Sequence, residues 1–231
     1  METIRGTQLT MSDGTTLGAE VVKDEDSHLF LYVLLQDMLK VGDMIVGLHI
    51  EWGFKGCSST LPTTAETLQK SPSENKDRRS KILEHHIALV TFCTKLGCVL
   101  VRLTPKFFSP SLQRFLSIKD IVFVGVHIKQ DLERLSSMYG VVVRNAVELS
   151  DLAARIHEQP RFVAYSVRDL AYRVASIRTE HKTFTVLWSN WFDQNLSAEQ
   201  IECAAVDAYA AYKIGKKLME GGSSSVKRLF L

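Results

Sequence analysis

Residues 45–52 read Ile-Val-Gly-Leu-His-Ile-Glu-Trp, an apolar run interrupted by two polar side chains, His49 and Glu51, two positions apart. Such a run is a buried strand. Side chains alternate faces along a strand, so His49 and Glu51 look the same way. A carboxylate in these surroundings is costly unless something meets it. Two later apolar segments carry the same mark: Val122–Leu135 holds Asp131, and Gln200–Leu218 holds Asp207. Hard divalent cations take oxygen ligands. Acidic residues from three apolar segments far apart in sequence are therefore what a divalent-metal site on an α/β sheet requires.

The chain of 231 residues, 45% of them hydrophobic, suits one large domain with decorations rather than two domains. Its net charge of +2 is too balanced to advertise nucleic-acid binding, for which a basic stripe is the footprint. The N-terminal stretch lacks an apolar signal region and no long apolar run is present, so neither a secretory signal nor a membrane span is expected. Cys57, Cys93, Cys98 and Cys203 make no CxxC pair and no zinc-finger spacing. Reduced thiols in a cytoplasmic or nuclear protein are the expectation.

Residues 5–23 alternate around Ser12-Asp13-Gly14 and predict a β-hairpin. Ser27 is placed to cap a helix through Lys40, which completes an N-terminal unit over 1–42. The strand at 45–52 opens the main unit, 43–219. Residues 55–82, rich in Ser, Thr, Lys and Glu, predict a mobile loop. Ile87–Thr94 and Cys98–Leu103 flank a turn and predict a second hairpin, pairing with the first strand of the unit. Pro110 opens a helix to Ser117, Ile121–Val126 is a buried strand, and a helix runs from near Lys129 to the C-cap Gly140. Val141–Val143 and Ala146–Leu149 suggest a short strand before a helix at Ser150–His157. Ser166 with Asp169 caps Val167–Ala175, and Ser197 with Gln200 forms a capping box for a last long helix to about Met219. A tail, 220–231, is expected to be flexible. This order fits a three-layer α/β domain, though other α/β folds share it.

The three acidic segments resemble the motifs of the DnaQ-like, or DEDD, 3′–5′ exonucleases, and most of all the Werner-syndrome-type and ribonuclease-D-type branch. The first motif of that branch usually reads Val-Gly-Phe-Asp-Ile-Glu-Trp; here it is Val46-Gly47-Leu48-His49-Ile50-Glu51-Trp52. The second is matched by Val124-Gly125-Val126-His127-Ile128 and then Asp131, and the third by Asp207-Ala208-Tyr209 with Cys203 where the family has a tyrosine. Trp188-Ser189-Asn190-Trp191 and Leu196-Ser197 match the lead-in to the third motif. The resemblance implies a ribonuclease-H-like fold with a mixed five-stranded sheet. The N-terminal hairpin and altered first motif also echo the small plant RISC-interacting clearing exoribonucleases, a branch that forms hexameric rings.

In the family, four carboxylates hold two divalent ions about 4 Å apart for phosphodiester hydrolysis. Carried over position by position, the metal ligands are Glu51, Asp131, Asp207 and His49, with Cys203 where the water-orienting tyrosine stands. His49 replaces the acid that touches both ions, so Mg²⁺ affinity should fall, while Mn²⁺, which accepts imidazole, suffers less. Cys203 is a poor stand-in for a phenol. The expected partner is single-stranded RNA or DNA, and the expected activity a weak or Mn²⁺-preferring 3′–5′ exonuclease. The alternative is a pseudo-nuclease kept as a nucleic-acid-binding or protein-assembly module.

Plainer readings stand beside these. His49 reads equally as a core histidine, Asp131 as a first-turn helix acid and Cys203 as a small hydrophobe. His127, in place of a glycine one turn before Asp131, lies near the same cleft. A transition-metal set of His49, His127, Cys203 and Asp207 is a further option. Arg155, Arg161, Arg168, Arg173, Arg178 and Lys182 outnumber the acids around them and could track a strand's phosphates or simply cover solvated helix faces. Phe54, Tyr165, Trp188 and Trp191 could stack bases.

Overall fold

The computed structural model of the protein describes residues 6–54, 85–105, 107–179, 184–187 and 189–221. Its spine is a mixed sheet of seven strands in the order β1-β2-β5-β4-β3-β6-β7. These are β1 (Thr7–Thr10), β2 (Thr16–Lys23), β3 (Ile45–Phe54), β4 (His85–Thr94), β5 (Gly97–Arg102), β6 (Val122–Gly125) and β7 (Ala146–Glu148). The central strand β3 runs antiparallel to β4 and parallel to β6. The expected five-stranded mixed sheet is the run β5-β4-β3-β6-β7. The N-terminal hairpin, read from sequence as a separate decoration, extends that sheet because β2 pairs in parallel with β5. The residues of β5 are almost wholly buried, so an uncovered edge there would present an apolar template for misassociation. The hairpin covers it.

Among the described residues the α-helices are α1 (Ser27–Val41), α2 (Pro110–Leu116), α3 (Ile128–Tyr139), α4 (Leu149–Ile156), α5 (Val167–Leu170), α6 (Phe184–Leu187) and α7 (Ala198–Gly221), joined by short 3-10 turns at Asp24–Asp26 and Pro160–Ala164. Strand alternation divides the core into two. Val46, Leu48 and Ile50 pack with Leu34 and Met38 of α1, Leu112 and Phe115 of α2 and Leu135 of α3. On the opposite face, α7 lays Ala204, Ala205, Ala208, Ala211 and Ile214 into a second core with Leu89, Leu100 and Val124. Its short side chains let the helix backbone come close. A Cβ added at Gly47 would stand 2.0 Å from the carbonyl oxygen of Ala208 and 2.7 Å from the amide nitrogen of Tyr212. Gly47 therefore sets how near α7 lies to β3, and with it the reach of every side chain between them.

Several local expectations hold. Ser109 Oγ accepts from the Leu112 amide at the start of α2, and Gly140 closes α3 in the left-handed region. The Ser197–Gln200 capping box is complete, with each side chain accepting from the other's backbone amide. Others need correction. Ser27 is the first helical residue rather than the cap; Asp26 takes the cap position, and the Ser27 hydroxyl donates to the Asp24 carbonyl at 2.7 Å. Val141–Val143 form no strand. The helix expected over 167–175 is a single α-helical turn, α5, that widens into a π turn over Ala171–Ala175. Helix α7 reaches Gly221, past the expected start of the tail. The loop expected over 55–82 lies outside the described residues, as does everything beyond 221.

Candidate metal centre

Strand β3 carries His49 and Glu51 on the face that meets α7, and α7 carries Asp207 to them. His49 Nε2 stands 3.0 Å from Glu51 Oε1 and 3.8 Å from Asp207 Oδ2. Ligand atoms of all three lie within 4.8 Å of one another, and no other cluster of this kind occurs among the described residues. Two ligands about 2.1 Å from one ion stand about 3.0 Å apart when adjacent and about 4.2 Å apart when opposite, so both separations fit a shared cation. The donor set fits as well: two carboxylates and an imidazole are ligands that a divalent cation accepts. His49 meets the Glu51 carboxylate, whereas the plainer reading of it as a core histidine expected a backbone carbonyl partner. To act as a ligand its Nε2 must be unprotonated.

Asp207 is the most deeply placed of the three, at 2% exposure, so its charge needs a partner in the protein. That partner is Arg168, from α5. Its Nε donates to Asp207 Oδ1 at 2.7 Å, and its Nη2 donates to Cys203 Sγ at 3.2 Å. The guanidinium is itself 10% exposed. Cys203, buried and one turn before Asp207 on α7, thus meets the site through Arg168. Arg168 also lines a cavity of about 430 Å³ bounded by Ser12, Arg178, Thr179, Glu202 and Cys203, and a neighbouring one of about 260 Å³ beside Tyr172. Sequence reasoning counted Arg168 only as one of a basic run. No pattern in the chain marks it, because the partnership spans α5 and α7.

Asp131 lies next to the cluster but outside it. Its Oδ1 accepts from the Trp52 indole at 2.7 Å, and Arg134 lies over the Trp52 ring at 4.8 Å. Burial pushes the Asp131 carboxyl above its ordinary range; the hydrogen bond from Trp52 pulls only partly against that. Of the four ligands expected from sequence, the fold gathers His49, Glu51 and Asp207 and ties the fourth to Trp52. His127 does not join them, and the transition-metal set fails. Its Nε2 lies 3.0 Å from the Tyr165 carbonyl oxygen, and its backbone, at φ 61°, donates to Glu148 Oε1. A glycine would carry that conformation without strain. The thiols also differ from expectation: Cys93 and Cys98 pair as a disulfide across the β4–β5 hairpin, while Cys203 stays outside any disulfide among the described residues. They are directly opposed in the ladder, a pairing that the tight turn over residues 95–96 made readable. Trp191 is core at 4% exposure, while Trp188, Lys182 and the Phe54 side chain lie outside the described residues.

Comparison with known proteins places this geometry. A family model for 3′–5′ exonucleases matches residues 73–222. The Arabidopsis thaliana protein RISC-interacting clearing 3′–5′ exoribonuclease 1 is 25% identical over 207 residues, covering 89% of this chain and 91% of its own. A second Arabidopsis thaliana protein, a 3′–5′ exonuclease, is 28% identical over 189 residues, 80% of this chain and 57% of its own length. Among solved structures, Trypanosoma brucei RNase D superposes with a TM-score of 0.60 at 21% identity, over 90% of this chain and 66% of that one. The catalytic core of Trypanosoma brucei RRP6 gives 0.64 at 14% identity, over 97% and 52%. At these identities the structural likeness shows the ribonuclease-H-like fold.

Proposed function

The chain belongs to the 3′–5′ exonuclease family, and on that premise we propose that it trims single-stranded RNA from its 3′ end with a preference for Mn²⁺ over Mg²⁺. The observation that carries this reading is the convergence of His49, Glu51 and Asp207, from β3 and α7, within 4.8 Å. RNA is favoured over DNA by the relative named as an exoribonuclease, which this chain matches across 91% of that protein's length; a second argument is the RNase D solved in complex with RNA U12.

In this reaction water attacks the terminal phosphodiester, the bond from phosphorus to the 3′ oxygen breaks, and that oxygen leaves with a proton. A divalent ion at the centre would supply Lewis-acid charge to the phosphate and ease the ionisation of water. The residues of the chain do the rest. Glu51 and Asp207 provide anionic oxygens, and His49 adds one neutral nitrogen where the family has a carboxylate, which weakens the hold on Mg²⁺ most. Cys203 sits where the family's tyrosine stands, yet its sulfur meets Arg168 and gives little to orient a water.

Incubation of end-labelled single-stranded RNA and DNA with the purified protein, in Mg²⁺ and then in Mn²⁺, tests the proposal. Stepwise 3′ shortening of RNA in Mn²⁺ is expected, abolished in Asp207→Ala and gaining Mg²⁺ dependence in His49→Asp. Shortening that persists in Asp207→Ala would mean a contaminant. No cleavage under either ion, with RNA still bound, would favour the pseudo-nuclease.

A further inference from the structure

We propose that the segment from Arg168 to Thr179 is a stacking platform for single-stranded nucleic acid, with Tyr172 beneath a base and Arg173 and Arg178 on the flanking phosphates. This rests on the nuclease reading above and adds to it the place where the strand lies upstream of its 3′ end. Tyr172 is 46% exposed, while Leu170, Ala171 and Val174 around it are buried. The turn is thus pinned from beneath and offers its aromatic ring to solvent. The π turn over Ala171–Ala175 ends at Ser176, in the left-handed region at φ 58°, and the Ile177 amide donates back to the Ala171 carbonyl at 3.2 Å. That reversal returns Arg178 to the ring.

Two guanidinium groups border this one ring, Arg178 at 5.5 Å and Arg173 at 5.7 Å from its centroid. Direct contact brings carbon atoms to about 3.5–4 Å, so at these distances the ring keeps area for a further planar partner. A nucleobase is such a partner, because every base has a π face and stacking on an aromatic side chain tolerates any sequence. Guanidinium groups stack on bases too, and each can offer two donors to one phosphate. Asp169, the acid of the same turn, has its carboxylate engaged by the Ser166 hydroxyl at 2.6 Å. Beside the ring lies the cavity of about 260 Å³, walled by Arg168, Asp169, Tyr172, Arg178 and Thr179. The larger cavity next to it carries Glu199 and Glu202, which repel phosphate, so the smaller one takes the strand. His49, Glu51 and Asp207 line neither cavity. The link to the centre is Arg168, which walls the smaller cavity and donates to Asp207 at 2.7 Å. Tyr172 follows Arg168 by four residues, about one turn, so a base on its ring belongs to a nucleotide upstream of the one at the centre.

Fluorescence anisotropy with a fluorescein-labelled oligoadenylate, measured in EDTA so that no cleavage intervenes, tests the platform. Tyr172→Ala should weaken binding about fivefold to thirtyfold, and Tyr172→Phe, which keeps the ring, should bind like the wild type. Arg173→Gln and Arg178→Gln should each reduce the slope of log affinity against log salt concentration by about 0.7. A base-free oligomer with the same sugar-phosphate backbone should be bound equally by the wild type and by Tyr172→Ala. During turnover in Mn²⁺, Tyr172→Ala should raise KM and leave kcat little changed. Wild-type affinity in Tyr172→Ala would overturn the proposal, as would failure of the wild type to bind the oligoadenylate. An equal loss by Tyr172→Ala on the base-free chain would also overturn it, by making the patch a charged surface open to any polyanion, an acidic protein included. If Tyr172→Ala does not fold, the salt slopes of the two arginine variants and the wild-type preference for the oligomer with bases carry the test. Binding with the expected pattern but no shortening of RNA would defeat the nuclease reading alone and leave the platform standing.

Discussion

At the scale of single residues, charge in this protein is held by partners as much as by solvent. Burial pushes the Asp13 carboxyl up, but hydrogen bonds from Tyr209, Thr15 and Lys213 outweigh it and hold it at about 2, against an ordinary 3.8. A folded-state value below the unfolded one adds stability that is present above pH 3.8 and fades as pH falls through about 2. Asp13 is exposed, so solvent screening leaves Asp13→Asn a cost of about 0.5–1 kcal/mol at neutral pH, and urea unfolding should show the gap to the wild type closing between pH 4 and pH 2. A gap independent of pH would contradict this. The clustered residues themselves were legible in the sequence: Glu51 and Asp207 stood out as acids inside apolar runs, and strand alternation put His49 beside Glu51. Arg168 was not. A cation in a basic stretch reads like its neighbours until the tertiary structure buries it against Asp207. The tie between Asp131 and Trp52 was equally hidden, since the two are separated by 79 positions.

Elements that carry their own punctuation were readable, and elements defined by their neighbours were not. Pro110, Gly140 and the Ser197–Gln200 box each satisfy helix ends locally, and each marked its boundary. The pairing of β2 with β5 left no such trace, because hairpin alternation does not say which edge the hairpin will join. Nor did the π turn over Ala171–Ala175, which packs against α7. The element contact that matters most to the site is the close approach of α7 to β3 over Gly47. A methyl at that position would meet backbone atoms, which cannot swing aside, so Gly47→Ala should cost about 2–3 kcal/mol. It should also shift Asp207 away from His49, lowering Mn²⁺ affinity at least tenfold. Gly53→Ala is the control, because there the added Cβ meets the movable Phe192 ring at 2.7 Å. Equal effects of the two substitutions on Mn²⁺ binding would remove Gly47 from any role in setting the site.

Over the whole molecule, the architecture turns two distant stretches of chain into one site. The sheet fixes β3 between two cores, α7 crosses the face that bears Glu51, and α5 brings Arg168 to the same point from a third direction. Motif spacing led to the ribonuclease-H-like fold; element order alone would have left other α/β folds open. The central claim, that His49, Glu51 and Asp207 are the ligands of a divalent ion, has a direct test in a crystal soaked with Mn²⁺ and measured at an energy where manganese scatters anomalously. The expected result is one peak per chain, about 2.1–2.2 Å from His49 Nε2 and from an oxygen of each of the two carboxylates. A peak bound by other side chains, or none at saturating Mn²⁺, would contradict it.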